Sequence, residues 1–260
     1  MNIVVFVKRV PDTESRIKVG PDGKSVVEDG LNFVISPYDE YALEEALRLR
    51  EAKGGKVTAV TVGGEASLTI LRKCLAMGTD EAVLVKDPLP ETYDGLRTAR
   101  IIARLVAARF PDFDLLLFGK QAVGDDNAQV PAMTAELLGL GQANVVVKLE
   151  VESARATAWR EIEGGQEKVV MALPAVVSAQ KGLNEPRYET LKGIMMAKKK
   201  PVPEVSLDEL GLAGEGAAPS LTVVRVEPPP ARAAGRVVTG PPEDLAGQIA
   251  DFLHGAAKVM

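Results

Sequence analysis

Apolar residues follow two alternating rhythms through the first two thirds of the chain. Short β-branched or continuously apolar runs at Ile3–Val7, Val57–Val62, Ala82–Val85 and Leu115–Phe118 read as strands buried on both faces of a parallel sheet. Segments with helical spacing lie between them. In Pro37–Lys53, residues Ala42, Leu43, Ala46, Leu47 and Leu49 fall on one side and Glu44, Glu45, Arg48, Arg50 and Glu51 on the other, and Gly54-Gly55 ends the segment. Leu68–Met77 is closed by Gly78, and Thr92–Phe110 by Pro111. Strand, helix and strand at this spacing make right-handed βαβ units, so the expected fold class is α/β, a doubly wound and mostly parallel sheet.

The texture changes after residue 140. Val145–Val151, Ala156–Glu161, Lys168–Leu173 and Ala175–Ala179 are short strand patterns in quick succession, with Gly164-Gly165 as a hairpin turn. They are expected to extend the sheet at one edge. From Lys181 to Pro203 no period holds, and from Gly211 onward Gly, Ala and Pro dominate. Pro228-Pro229-Pro230 and Pro241-Pro242 read as stiff extended linkers, and a last helix is expected from Glu243 to about His254. The organisation expected is an α/β domain over residues 1–210 and an arm over 211–260. The arm is too poor in core to fold alone and would wrap the domain or a partner.

Composition removes whole classes of chemistry. The 260 residues carry 31 Lys and Arg against 36 Asp and Glu, a net charge of −5, which argues against a general nucleic-acid binder. There is one histidine (His254), one cysteine (Cys74) and one tryptophan (Trp159). Histidine-based catalysis could use only His254, and a His/Cys zinc site lacks ligands, so no catalytic and no metal residue is assigned. Cys74 reads as a small buried hydrophobe and His254 as structural. A lone cysteine fits a reducing compartment. The charges Lys8 and Arg9 follow the N-terminal apolar run rather than precede it, and the longest uncharged apolar run, Val169 to Gln180, is too short for a bilayer. The expected location is cytoplasmic.

Ligands of parallel α/β sheets bind outside the carboxyl ends of the strands. Four segments fall there: Lys8–Asp12, Ser36–Asp39, Gly63-Gly64 and Gly119–Val130. Ser36-Pro37-Tyr38-Asp39 is a helix start, with a Ser cap, Pro at the first helical position and an acid three residues on; capping alone and a ligand role are both open. Gly119-Lys120-Gln121-Ala122-Val123-Gly124-Asp125-Asp126-Asn127-Ala128-Gln129 follows an apolar strand and opens a helix expected over Ala128–Leu138, ended by Gly139. Its two glycines and the helix N-terminus suit a nucleotide phosphate, although it is neither a Walker A loop nor G-x-G-x-x-G, and a structural turn explains it too. Asp125-Asp126 could hold Mg²⁺ or cap the helix. Ala179–Pro203 carries six cations against Glu185 and Glu189, a net +4 that leaves the rest of the chain at −9. It also displays Leu183, Tyr188, Leu191, Ile194, Met195 and Met196. Apolar anchors inside a cationic rim suit protein docking, and a solvated loop is the alternative.

Several of these segments together resemble the β subunit of the electron transfer flavoprotein family. The hairpin Arg160-Glu161-Ile162-Glu163-Gly164-Gly165-Gln166-Glu167 with Pro174-Ala175-Val176-Val177-Ser178 is similar to the family signature. So are Leu183-Asn184-Glu185-Pro186-Arg187-Tyr188, Ala197-Lys198-Lys199-Lys200, Val7-Lys8-Arg9-Val10-Pro11-Asp12 and Gly119-Lys120-Gln121-Ala122. The likeness runs in order along nearly the whole chain.

The resemblance implies a Rossmann-like, adenine-nucleotide-binding subunit that is an electron carrier rather than an enzyme. It implies a heterodimer with an α subunit that holds most of the FAD, and a buried AMP in this subunit. By matching segments, AMP would contact Phe6, Ser36, Pro37, Tyr38, Asp39, Val62 and the run Gly119 to Val130, with Tyr38 also against the flavin. Thr13 stands where some members carry Tyr, and Val130 where some carry Thr. The loop Ala179–Pro201 would grip acyl-CoA and related dehydrogenases through Leu191, in the company of Arg187, Tyr188, Ile194 and Met195, and Glu161 would help hold the α subunit's flavin domain. Electrons would then pass to a membrane quinone oxidoreductase. Certain relatives hold a second FAD in place of AMP and bifurcate electrons, and the residues alone leave AMP and second FAD open. A stand-alone adenine-nucleotide-binding regulator is the reading from another class.

Overall fold

Alternate residues of the first strand, β1 (Asn2–Phe6), enter two different cores: Ile3 and Val5 on one face of the sheet, Val4 and Phe6 on the other. A strand buried on both faces needs helices on both sides, and the computed structural model has them. It describes residues 1–89, 94–212, 218–230, 235 and 237–259. A short antiparallel ribbon, β2 (Arg9–Pro11) with β3 (Phe33–Ile35), leads to helix α1 (Pro37–Lys53). Then come β4 (Lys56–Gly63), α2 (Leu68–Met77), β5 (Glu81–Lys86), α3 (Gly95–Arg109), β6 (Leu115–Gly119) and α4 (Val130–Leu138). Leu43, Leu47, Leu71 and Cys74 from α1 and α2 fill the first core; Ile101, Ile102, Leu105, Val106 and Ala135 from α3 and α4 fill the second.

The remaining strands are β7 (Gly141–Glu152), β8 (Arg155–Ile162), β9 (Gly165–Ala172), β10 (Ala175–Ala179) and β11 (Glu204–Ser206). The nine-stranded sheet runs β11-β5-β4-β1-β6-β10-β7-β8-β9. From β11 to β7 all pairs are parallel, and β7-β8-β9 is an antiparallel edge. The expected α/β class and the expected helices Pro37–Lys53 and Leu68–Met77 stand as the periodicity predicts, with Gly54 and Gly78 at positive φ closing them. Of the expected helix Thr92–Phe110, Thr92 lies outside the described residues and the helix runs from Gly95 to Arg109, with Phe110 as its cap.

Four expectations need correction. Only β7, β8 and β9 extend the edge; β10 is inserted between β6 and β7, and every one of its residues is buried. Its unbroken apolar run is the mark of a strand inside a parallel sheet, not of an edge. Second, the aperiodic stretch Lys181–Pro203 contains helix α5 (Leu191–Ala197), begun by Thr190, whose side chain accepts from Gly193 N. Seven residues make two turns, too few to show a period. Third, α4 starts at Val130 rather than Ala128, because Ala128 sits at φ +51° and cannot continue a right-handed helix. Fourth, β11 at the far edge is absent from the sequence reading; three residues with a single buried Val205 leave no pattern to read.

The chain divides into a unit of residues 1–226 and a unit of residues 227–260. In the second, α6 (Pro242–Asp251) runs into a wide turn at Phe252–Ala256, and neither buries a side chain. No helix among the described residues is long and apolar enough to cross a membrane.

Candidate functional site

Sheet order reverses at β1, with β4 to one side and β6 to the other, and a cleft opens at the carboxyl ends of these strands. Its floor is apolar: Phe6 and Phe118 stack with centroids 4.6 Å apart and planes inclined by 14°, and Val60, Val62 and Ile102 flank them. The wall comes from the loop after β6. Gly124, Asp126 and Ala128 all have positive φ, +99°, +51° and +51°. Backbone that passes repeatedly through the left-handed region can gather N–H groups into an anion-binding concavity, and here the Asp126 N–H is already taken by Ala122 O. The loop then enters α4, whose N-terminus no side chain caps.

Asp39 ties the cleft together. Its carboxylate accepts from Lys8 N at 2.7 Å and from Gly119 N at 2.9 Å, linking α1 to the ends of β1 and β6. Burial pushes its pKa up to about 7, against the two N–H donors and the Lys8 charge, which favour the ionised form. The capping box suggested by Ser36 and Asp39 is therefore not made: Asp39 reaches to other strands, and the Ser36 side chain does not cap α1. Ser36 Oγ instead accepts from Val123 N at 3.4 Å, tying the helix start to the loop. A Cβ on Gly119 would collide with Asp39 Oδ1 and lie 2.6 Å from the Tyr38 carbonyl carbon. The close approach this glycine permits is thus to the start of α1. Lys8 pairs with Asp125 across the mouth, and Gln121 Nε2 donates to Asp126 at 2.6 Å. Among the described residues no His, Cys, Asp and Glu side chains gather in a group that could hold a metal ion.

Of the residues singled out in the sequence, Phe6, Asp39, Val62, Gly119, Lys120, Gln121, Ala122, Asp125, Asn127, Ala128, Gln129 and Val130 line this cleft. Ser36, Pro37, Tyr38, Val123, Gly124 and Asp126 are not among its lining residues, and Tyr38 has Lys120 Nζ 4.7 Å above its ring. Sequence reasoning missed Asp87, Asp94, Gly95 and Thr98, at the end of β5 and the start of α3. The strand pattern at Ala82–Val85 already carried the signal, since its carboxyl end opens on the same side. Beneath them Arg97, 2% exposed, grips Asp87 with Nη1 and with Nη2, the latter at 2.6 Å, while Asp94 caps α3 by accepting from Arg97 N at 3.0 Å.

The cationic segment carries a separate exposed patch. Tyr188 (92% exposed) and Leu191 (83%) stand out with Met195 and Met196, while Ile194 packs partly against the core. Lys192, Lys198 and Lys199 rim the patch and make no ion pair among the described residues. Arg187 does not join them: its guanidinium pairs with Glu44 and Glu51 of α1. Glu161, exposed on β8, accepts a 3.4 Å bond from Gln180. Cys74 is fully buried, and burial pushes its thiol pKa far up, so it is a packing residue.

Comparison with known proteins gives concordant results. The family model described as electron transfer flavoprotein domain matches residues 24–210. The chain is 43% identical over 262 residues to the electron transfer flavoprotein subunit beta of Bacillus subtilis, covering all of both chains. It is 40% identical over 255 residues to the subunits of that name from Sus scrofa and Homo sapiens, covering 97% of this chain and 98% of each of theirs.

Proposed function

The chain belongs to the electron transfer flavoprotein family, as a subunit beta, and on that premise we propose that it holds AMP in the β1–β6 cleft and docks electron donors through the patch around Leu191. The single observation that carries the nucleotide reading is the cleft at the carboxyl ends of β1 and β6, floored by stacked phenylalanines and lined by loop residues Asp125, Asn127 and Ala128 just ahead of α4, whose first backbone N–H groups no side chain caps. Phosphate would take the N–H groups and the α4 N-terminus, with Lys8 leaving Asp125 to meet it. The base would lie on the apolar floor between Phe6, Val60 and Ile102. FAD, held mainly by an α subunit, supplies the redox chemistry when bound. This chain would enclose it at Tyr38, orient it through Glu161 and keep water from it, while moving no proton of its own.

Mass analysis of the small molecules released from the purified heterodimer tests the nucleotide reading. One AMP per heterodimer beside one FAD is the expected result. Two FAD and no AMP would replace it with the bifurcating reading, and a chain that purifies without an α subunit would support the stand-alone regulator.

Donors would be soluble acyl-CoA and related dehydrogenases, and the acceptor a membrane quinone oxidoreductase. A partner that suits the patch presents an apolar pocket rimmed by carboxylates, since Leu191 projects from a surface edged by Lys192, Lys198 and Lys199, which make no ion pair among the described residues. Full burial of a leucine contributes about 1.5–3 kcal/mol. Leu191→Ala is therefore expected to raise the KM for this carrier about 10- to 100-fold in a dehydrogenase assay, with flavin content unchanged. An unchanged KM would remove Leu191 from the docking role.

A further inference from the structure

The exposed patch is not a free loop, because both of its ends are fastened to helices that lie beneath it. At its start, Asn184 is buried and its amide donates to Tyr41 O and to Glu45, both at 3.0 Å. Arg187 donates to Glu44 from its backbone N and from Nε and Nη2, and its guanidinium makes two further bonds to Glu51, at 2.6 and 3.1 Å. Glu44 and Glu51 lie two turns apart on α1, so one arginine spans and fixes that stretch of helix. At the far end Arg72, from α2, donates to Ala197 O, the last carbonyl of α5, at 2.6 Å and to Lys200 O, three residues beyond, at 2.5 Å. Lys200 folds back to Thr79 O and Asp80 O. Between these anchors Gly193 lies so close to α2 that a Cβ there would collide with Ala76 O, and Ala197 is buried.

We infer that Arg72 and Arg187 are positioning residues for electron uptake: they present Leu191 in one fixed orientation before any dehydrogenase arrives. The inference rests on the docking reading above. Neither arginine belongs to the exposed apolar patch; each acts through the backbone or helix it holds. A segment ordered in advance leaves less conformational freedom to lose on association, so the anchors move that cost from binding to folding. Sequence alone reads Arg187 as one more cation of the docking rim, whereas its charge is spent on two glutamates inside the molecule.

The test compares Arg72→Met, Arg72→Lys, Arg187→Met and Leu191→Ala in the intact flavin-loaded heterodimer. Three readouts are needed: KM and kcat of a dehydrogenase that reduces the wild-type carrier, amide exchange across residues 188–197, and flavin content. The expected result for both Met variants is exchange in that segment at least tenfold faster, KM raised about tenfold, and kcat and flavin content within about twofold of wild type. Arg72→Lys, which keeps a cation able to reach the carbonyls, is expected to fall between wild type and Arg72→Met. Faster exchange with an unchanged KM would overturn the inference, as would unchanged exchange. If Leu191→Ala raises KM and the arginine variants do not, this inference alone falls; if Leu191→Ala also leaves KM unchanged, the docking reading falls with it.

Discussion

Asp87→Ala is expected to cost the α/β unit about 3–5 kcal/mol, the loss that follows when one partner of a buried ion pair is removed. The side chains of Arg97 and Asp87 are only 2% and 4% exposed, so the deletion takes from a buried guanidinium the carboxylate that it grips through two nitrogens. Against a typical domain stability of about 5–15 kcal/mol, that is a large fraction. The damage would also reach the cleft, because Asp87 and the start of α3 line it. A urea-unfolding midpoint, measured with and without added AMP, the proposed ligand, reads both effects. Adding Arg97→Met to Asp87→Ala removes the buried charge as well and is expected to recover part of the loss. A single variant that loses under about 1 kcal/mol would mean the pair is solvated.

Asp39→Asn is expected to abolish most of a pH dependence that this one carboxylate creates. Its pKa rises from 3.8 to about 7 on folding, chiefly by burial. Between pH 4 and 7 the folded chain therefore holds a proton that the unfolded chain has released, and stability falls as pH rises through that window. A shift of about three units corresponds to about 4 kcal/mol, present in full below pH 4 and lost by pH 7. Lys8, whose ammonium and N–H face Asp39, works against the shift; Glu40 works with it. Glu45, also raised by burial, slopes the same way, whereas Glu51, held down by Arg187, contributes stability lost only in acid. Subtracting the variant's profile from the wild type's isolates Asp39. A difference that stays flat from pH 4 to 8 would show that the carboxyl is not desolvated. The amide can satisfy only one of the two N–H donors, from Lys8 and Gly119, so weaker retention of the proposed AMP is expected at every pH.

The parts of the fold legible in the sequence share a physical trait: their signal is local and repeated. Pro37–Lys53 shows an apolar stripe over several turns with a proline start and a glycine stop, and the structure has that helix to the residue. Leu115–Phe118 is a run with no polar position to place in water, and β6 is buried at every residue. What escaped was short or depended on a neighbour far along the chain. The seven-residue α5 exists because Thr190 begins it and α2 underlies it. Ser36 and Asp39 carry the letters of a capping box, yet the donors that claim Asp39 come from residues 31 positions before and 80 positions after it.

Periodicity, the glycine stops and the order of short motifs by themselves determined the parallel α/β class, the end of the sheet at which the cleft opens and the family resemblance, because each is written in residues close together in the chain. Tertiary structure alone decided which residues wall the cleft and which hold it: Asp39 as a brace between strands, Asp87 with Arg97 as a buried pair under α3, and Arg187 as an internal anchor. A charged side chain is free, paired or forced neutral according to what the fold sets around it, and those neighbours lie ten to more than a hundred residues away in the chain. Hydrophobic pattern survives without that knowledge; the role of a polar group does not.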